Sequence, residues 1–327
     1  MDVRVATGGR LHFGFTNLSL SHERLYGGLG VALREPRTVV AAEAAERVTC
    51  EDPDAAAYAE RAVSLLDVPG ARLTVEEALP RHVGVGSGTQ LALATLTAVG
   101  RANGVEPAVR ELAPDLGRGG RSGIGVATFE SGGFVLDAGH PTARFTTSRP
   151  ADGDWTVPPV TARHRVPESW RFLLVLPSIE TGWSDDAEDA SMRAVVERAD
   201  PALSNRIAGV LTRQVLPAIA TGNAERFGSA VESVGRLNGA WYADEQGGTY
   251  RPPVGEVVAR LSETPAVFGA GQSSWGPAVY GVTDARNADA ARTAGEEALA
   301  AADVDGTVRI VRGRNRGAQV DARGVGN

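Results

Sequence analysis

No lysine occurs in this chain: all 33 of its basic positions are arginine. That absence excludes a lysine-dependent phosphate loop of the Walker type, so any phosphate bound here must be held by guanidinium forks and backbone amides. Cysteine is nearly missing as well. Cys50 stands alone, which rules out an intrachain disulfide and a cysteine-built metal cage. No run of about eighteen apolar residues is present, so no membrane span is expected. The first residues, MDVRVATGGRL, lack the basic-then-apolar order of a secretory signal, and a cytoplasmic protein is the expectation. Against the 33 arginines stand 40 acidic residues, for a net charge of −7, which argues against nonspecific nucleic-acid binding.

What is present suffices for a substantial core: 327 residues, 43% of them hydrophobic, enough for two domains of ordinary size. Alternation predicts strands at VRVAT (3–7) and ARLTVEE (71–77), and helical spacing predicts helices at 54–67, 87–102 and 107–117. GIGVATFE and GGFVLDAG read as an antiparallel pair joined at Gly132 and Gly133. After a proline-rich connection come a strand at 171–177, helices at 186–199, 201–220, 223–241 and 253–263, two strands, a helix at 287–302 and a last strand at 306–313. Interleaved helices and hairpin-like strand pairs predict an α+β fold. The expected divisions are 1–150, a connection at 151–169, a second domain at 170–313 and a flexible tail at 314–327.

Four stretches carry chemistry. In GVGSGT (84–89), Gly84, Gly86 and Gly88 leave the main chain open to an approaching phosphate. Ser87 and Thr89 add hydroxyls, and the helix that follows points its positive end at the same place. A tight turn before a core helix is the alternative. In GGRLHFGF (8–15), Arg10 and His12 project from one face of a strand, and YGGLG (26–30) offers a close approach nearby. GRGGRSGIG (117–125) sets two arginines and Ser122 among five glycines, a loop suited to a polyanion or simply to solvent. GAGQSSWGPAVYG (269–281) places Gly271, Gln272, Ser273, Ser274 and Trp275 at a turn between apolar strands, longer than a bare hairpin needs.

In this order, the four stretches resemble the GHMP kinase superfamily. They are most similar to a branch that is not a kinase, the β-ribofuranosylaminobenzene 5′-phosphate synthases. The motifs that carry the resemblance are GGRLHFGF with GGLGVAL, GSGTQLALA, GRGGRSGIGVATFESGGFVLDAGH and GQSSWGPAVYG, and it spans about residues 4 to 312. It implies an N-terminal ribosomal-S5-like domain, a C-terminal ferredoxin-like domain, a ligand cleft between them and a homodimer. It also implies a reaction in which phosphoribosyl pyrophosphate (PRPP) condenses with p-aminobenzoate or 4-hydroxybenzoate. Carbon dioxide and pyrophosphate leave, and a C-riboside of the methanopterin type forms.

The kinases often carry an aspartate in a PSGID-like stretch; here RSGIG puts Gly125 at that place. Losing such a base is expected to cost a kinase on the order of 10²–10⁴-fold, whereas a ring-carbon nucleophile has no attacking hydroxyl to deprotonate. The resemblance implies pyrophosphate at Gly84, Gly86, Ser87, Gly88 and Thr89 with Mg²⁺ or another divalent cation, for which Ser87 and Glu111 are the candidate ligands. Arg10 and Arg121 are candidates for the carboxylate or the 5′-phosphate, His12 for proton movement at the para substituent, and Ser122 stands beside them. Residues 271–275 would contact substrate. The acidic run at 185–189 reads as helix-dipole chemistry. The alternative is an ATP-dependent small-molecule kinase with Asp137 or His140 as a replacement base; a non-catalytic protein that binds a phosphorylated sugar is a third reading.

Overall fold

The computed structural model describes residues 2–145, 150–179 and 185–323, with the backbone alone for 185–190 and 323. Residues 146–149 and 324–327, and the side chains of the acidic run at 185–189, lie outside this description. A long antiparallel hairpin of β1 (Asp2–Asn17) and β2 (Arg24–Ala44) starts the chain. Its register shifts between Gly8 and Arg10 and again between His12 and Gly14, so two irregularities bracket the segment that carries Arg10 and His12. Then follow α1 (Pro53–Leu66), β3 (Ala71–Glu77), α2 (Ser87–Ala102), α3 (Val109–Leu112), α4 (Ile124–Glu130), β4 (Phe134–Asp137), β5 (His140–Pro141) and β6 (Val160–His164). The Asp52 carboxylate caps α1 by accepting from the N–H groups of Asp54 and Ala55. Helix α2 is buried along nearly its whole length and packs with Ala55, Ala59 and Ala62 of α1 against Val3, Val5 and Val40 of the sheet.

The rest of the chain comprises β7 (Trp170–Pro177), α5 (Asp185–Arg198), α6 (Pro201–Val210), α7 (Leu216–Thr221), α8 (Ala224–Gln246), α9 (Val254–Ser262), β8 (Gly269–Gln272), β9 (Val279–Asp284), α10 (Ala288–Ala301), β10 (Gly306–Val311) and β11 (Gln319–Arg323). Two antiparallel sheets result. The first has the order β11-β1-β2-β4-β6, with β3 and β5 also on β2; the second has the order β10-β7-β9-β8. The second sheet, with helices between β7 and β8 and between β9 and β10, is the expected ferredoxin-like arrangement, and the chain as a whole has the α+β fold. No helix among the described residues is long and apolar enough to cross a membrane.

Three expectations are corrected. GIGVATFE is a helix, α4, and not a strand: Ile124 and Ala127, like Val126 and Phe129, recur at three-residue spacing, a pattern that a short apolar run leaves ambiguous. Residues 160–164 of the supposed connection form β6, paired with β4 in the first sheet. The supposed tail is not frayed at 319–323, where β11 pairs with Asp2–Ala6 of β1. That pairing covers an edge strand which would otherwise present open N–H and C=O groups. On the way to β11, the Arg314 side chain is buried in the first domain, donating from Nη2 to Thr7 Oγ1 (3.1 Å) and to the Thr128 carbonyl (3.2 Å).

The two sheets share one core. Leu11, Phe13, Leu29 and Phe134 of the first pack with Phe172, Leu174, Phe227 and Tyr280 of the second half. Strand β7 is buried on both faces, since Leu173 and Val175 join the α9 and α10 cluster on its other side. At about 1.5–3 kcal/mol for each large apolar side chain, this shared core makes the junction between the halves firm. A polar clamp reinforces it: Asn238 of α8 accepts from Phe15 N (2.7 Å) and donates to Phe15 O (3.0 Å), pairing with β1 as a strand would. Gly14, at φ +139, leaves room for it, because a Cβ there would lie 2.7 Å from the Asn238 amide carbon.

Candidate active site

A cavity of about 910 Å³ opens where β1, β2, the start of α2, the 117–125 loop, α5 and the 272–278 turn meet. Among the described residues, five arginines line it, Arg10, Arg118, Arg121, Arg144 and Arg193, against one carboxylate, Asp154. In a chain with a net charge of −7, that local excess of positive charge marks a polyanion site. Aromatic surface is present too: Phe15, Tyr26, Phe145, Trp155 and Trp275 share the wall with Met192.

Local sequence explains how the wall is built. The carbonyl of Gly84 accepts from Arg10 Nη1 (2.6 Å) and Ser273 Oγ (2.8 Å), and Ser273 Oγ in turn accepts from His12 N (3.1 Å). Backbone bonds from Ser274 N to His12 O and from Ala278 N to Val83 O complete a three-way junction of β1, the 84–89 loop and the 269–281 turn. Glycine is needed at Gly84 and Gly276 because a Cβ at either would collide with backbone of the opposite loop. Gly86, at φ +83, is the N-cap of α2 and lies beneath the Arg10 side chain. A Cβ on Gly88 would stand 3.1 Å from Arg118 Nη1, so two guanidinium-bearing side chains cover the first turn of α2. The Arg118 guanidinium also contacts the Tyr58 hydroxyl and lies over its ring, 5.3 Å from the centroid.

On the opposite side, a hydrogen-bonded line crosses three elements. His12 Nε2 is 3.1 Å from Ser122 Oγ, and Ser122 Oγ donates to Asp137 Oδ2 at 3.1 Å. Asp137 also accepts from Gly123 N (2.8 Å) and Gly139 N (2.9 Å). Gly28 keeps this line open, since a Cβ there would collide with Ser122 Oγ and lie 2.8 Å from His12 Nε2. Burial, helped by the Arg10 charge, lowers the His12 pKa to about 3, so its ring is neutral; burial raises Asp137 to about 6 against its hydrogen bonds. Burial likewise raises the Tyr26 hydroxyl, while Arg121 and Arg193 pull it the other way, which puts both guanidiniums within its field.

Of the residues singled out in the sequence, Arg10, His12, Thr89, Arg121, Ser122, Ser274 and Trp275 line the cavity. Others do not. Gly84 and Ser273 are consumed in the loop junction, Ser273 with no exposed surface. Gly271 lies in β8 against Tyr280, and Gln272 accepts from Arg251 N beside a neighbouring pocket. Gly125 borders the cavity, and a side chain there would press on Thr89, with its Cβ 2.9 Å from Thr89 Cγ2. Ser87 starts α2 without lining the cavity, and Glu111 is exposed on α3, away from it. Among the described residues no group of three His, Cys, Asp or Glu side chains converges as a metal site, and neither Ser87 nor Glu111 lines the cavity.

The cavity also contains residues to which motif reading gave no individual role: Tyr26, Arg118, Arg144, Trp155, Met192 and Arg193. Arg118 was visible as the first arginine of GRGGRSGIG. Arg193 had no signal, because it arrives on α5 from the other half of the chain.

Comparison with known proteins agrees with this architecture. The GHMP kinases N terminal domain matches residues 50–133. Over 97% of this chain and 98% of the relative, identity is 35% to the β-ribofuranosylphenol 5′-phosphate synthase of Methanothermobacter thermautotrophicus. Identity is 28% over 98% of this chain and 99% of the protein of the same name from Archaeoglobus fulgidus. Among solved structures, the Methanococcus jannaschii mevalonate kinase superposes with a TM-score of 0.65 at 13% identity, covering 95% of this chain and 98% of that one. The homoserine kinase of Cytophaga hutchinsonii gives 0.62 at 16%, covering 98% and 97%. These kinases share the fold. The chain belongs to the β-ribofuranosylphenol 5′-phosphate synthase family, built on the GHMP kinase scaffold.

Proposed function

We propose that this protein joins PRPP to 4-hydroxybenzoate or p-aminobenzoate through carbon, releasing carbon dioxide and pyrophosphate. The observation that carries this reading is the cavity itself, which among the described residues sets five arginines and a belt of aromatic side chains around one carboxylate. PRPP brings a diphosphate and a 5′-phosphate, and the aromatic acid brings a carboxylate and a flat ring. Guanidinium groups match phosphate and carboxylate bidentately, and aromatic side chains match the ring.

Arg10 and Arg118, over the first turn of α2, take the diphosphate and stabilise the charge that develops as it leaves. Arg121 and Arg193, beside Tyr26, hold the acid carboxylate or the 5′-phosphate. Trp155 and Trp275 flank the ring. As the C1–O bond to diphosphate lengthens, ribose C1 becomes oxocarbenium-like, and the ring carbon bearing the carboxylate attacks it. Loss of carbon dioxide then restores aromaticity. A divalent cation, where used, enters as the PRPP complex. The assembled state in this reading is a cytoplasmic homodimer, which light scattering on the purified protein tests.

A kinase would need a base facing an acceptor hydroxyl. The aspartate position is Gly125, and Asp137 is only 2% exposed and absent from the cavity wall. His140 does line the cavity, with its pKa lowered by burial. The deciding experiment supplies PRPP, magnesium and carboxyl-labelled 4-hydroxybenzoate or p-aminobenzoate. Labelled gas matched by pyrophosphate is the expected result; ADP formation from ATP that depends on one small alcohol, with no gas from either acid, overturns the reading.

A further inference from the structure

Asp137 is a carboxylate kept out of water without a countercharge. Each hydrogen bond to it comes from a neutral group: the Ser122 hydroxyl and the N–H groups of Gly28, Gly123 and Gly139. No guanidinium pairs with it among the described residues. An isolated buried carboxylate is costly unless something compensates, and structures that keep one commonly use it. Here it stands one hydroxyl away from the cavity, because Ser122 touches both Asp137 and the open space.

The line has a direction. An ionised carboxylate can only accept, so the Ser122 hydrogen is directed to Asp137. His12 then offers its N–H at Nε2 to Ser122 Oγ. The other ring nitrogen, Nδ1, is buried with no hydrogen-bond partner. His12 and Asp137 are therefore the two groups that could receive a proton through this wall. Burial, aided by the Arg10 charge, lowers the basicity of His12, whereas burial raises that of Asp137, so proton affinity favours Asp137. His12, the residue that motif reading favours for proton movement, is the poorer base and serves to orient Ser122.

This inference rests on the synthase reading. We propose that Asp137 is a positioning residue that, through the Ser122 hydroxyl, takes the phenolic proton of a 4-hydroxylated benzoate during ring attack and gives it back during decarboxylation. As the bond from ring carbon to ribose C1 forms, the C1–O bond to diphosphate breaks and its electron pair leaves with pyrophosphate. The attacking pair is replenished from the phenol oxygen, which becomes a carbonyl. Its proton passes to Ser122 Oγ, whose 3.3 Å contact with Ile124 N gives way to the phenol, while Ser122 passes its own to Asp137. When carbon dioxide departs, the pair of the broken C–C bond returns through the ring to that oxygen, and the protons retrace their path. No net proton is consumed. An aminobenzoate can form the matching iminium cation without giving up a proton, and a phenol already ionised needs no acceptor.

The test is the ratio of variant to wild-type kcat on substrates that differ in this need. Asp137→Asn and Ser122→Ala are each assayed with 4-hydroxybenzoate and with 3,5-difluoro-4-hydroxybenzoate, whose two ortho fluorines leave the phenol ionised before binding in mildly alkaline buffer. Expected on the parent acid is a kcat loss on the order of 10²-fold with KM changed by less than about threefold. On the fluorinated acid the loss shrinks to less than about fivefold. Ser122→Ala leaves the backbone bonds to Asp137 in place and serves if Asp137→Asn fails to fold. Equal losses on both acids mean a structural role and overturn the relay while leaving the synthase reading intact. A wild type that uses only p-aminobenzoate also overturns the relay. A wild type that releases pyrophosphate with none of these acids overturns the synthase reading and the relay with it.

Discussion

The two loops at the cavity are both rich in glycine and have opposite mechanics. Around 84–89, the atoms that an added Cβ would meet at Gly86 and Gly88 belong to the Arg10 and Arg118 side chains, which can move. Around 269–276, an added Cβ at Gly276 would meet the backbone of Val83 and Gly84, which cannot. Ser273, in the middle of that second loop, is fully buried and donates to Gly84 O. From Gly86 on, the first loop is therefore roofed by charge, whereas Gly84 and the second loop are pinned against each other's main chain. Glycine marks a close approach in both, and only the partner tells whether the approach is made for a ligand or for another loop.

Substitutions can break this contrast. The largest effect is expected from Gly276→Ala, which forces backbone apart at the loop junction. It should lower stability by more than about 4 kcal/mol, read from urea unfolding, with the protein failing to accumulate as the extreme case. Arg118→Ala should leave the fold intact and lower kcat/KM for PRPP by about 10²-fold, read from steady-state kinetics. Comparable losses of fold and catalysis in both variants would erase the distinction between the loops.

Smaller effects sharpen it. Ser273→Ala leaves Gly84 O with one donor fewer and should cost about 2 kcal/mol of stability while the KM values stay within about twofold. Gly88→Ala should change stability by less than about 1 kcal/mol, since alanine is the better helix former, yet shift Arg118 and raise the KM for PRPP by about tenfold. A Gly88→Ala protein with normal KM would remove Arg118 from the proposed diphosphate grip.

Much of the fold was legible along the chain. The long apolar stretch after Gly86 predicted α2 at the residues it occupies, alternation found β3, and the apolar run RFLLVLP found β7. The error at 124–130 arose because a seven-residue apolar run satisfies both periods, and neighbours such as Asp137, which accepts from Gly123 N at the helix start, decide between them. The misread tail has a similar cause. Nothing in RNRGAQVDAR announces a strand, and what makes it one is the open edge of β1 waiting for a partner.

The same division runs through the site. The glycines of 84–88, Arg10, His12, Arg121 and Ser122 were visible because each sits in a motif. Arg193 was not visible, since it comes from the second half of the chain, and Asp137 was named only as a kinase's replacement base, since it lies behind Ser122, outside the wall. Sequence alone determined the local preferences: which segments coil or extend, where a missing Cβ lets atoms approach, and that arginine must do all the cationic work. Tertiary structure decided which of those close approaches face a cavity, which carboxylate is buried without a countercharge, and which edge the chain's end would cover. Burial and the pairing of distant groups depend on where the chain returns in space, and no window along the sequence contains that distance.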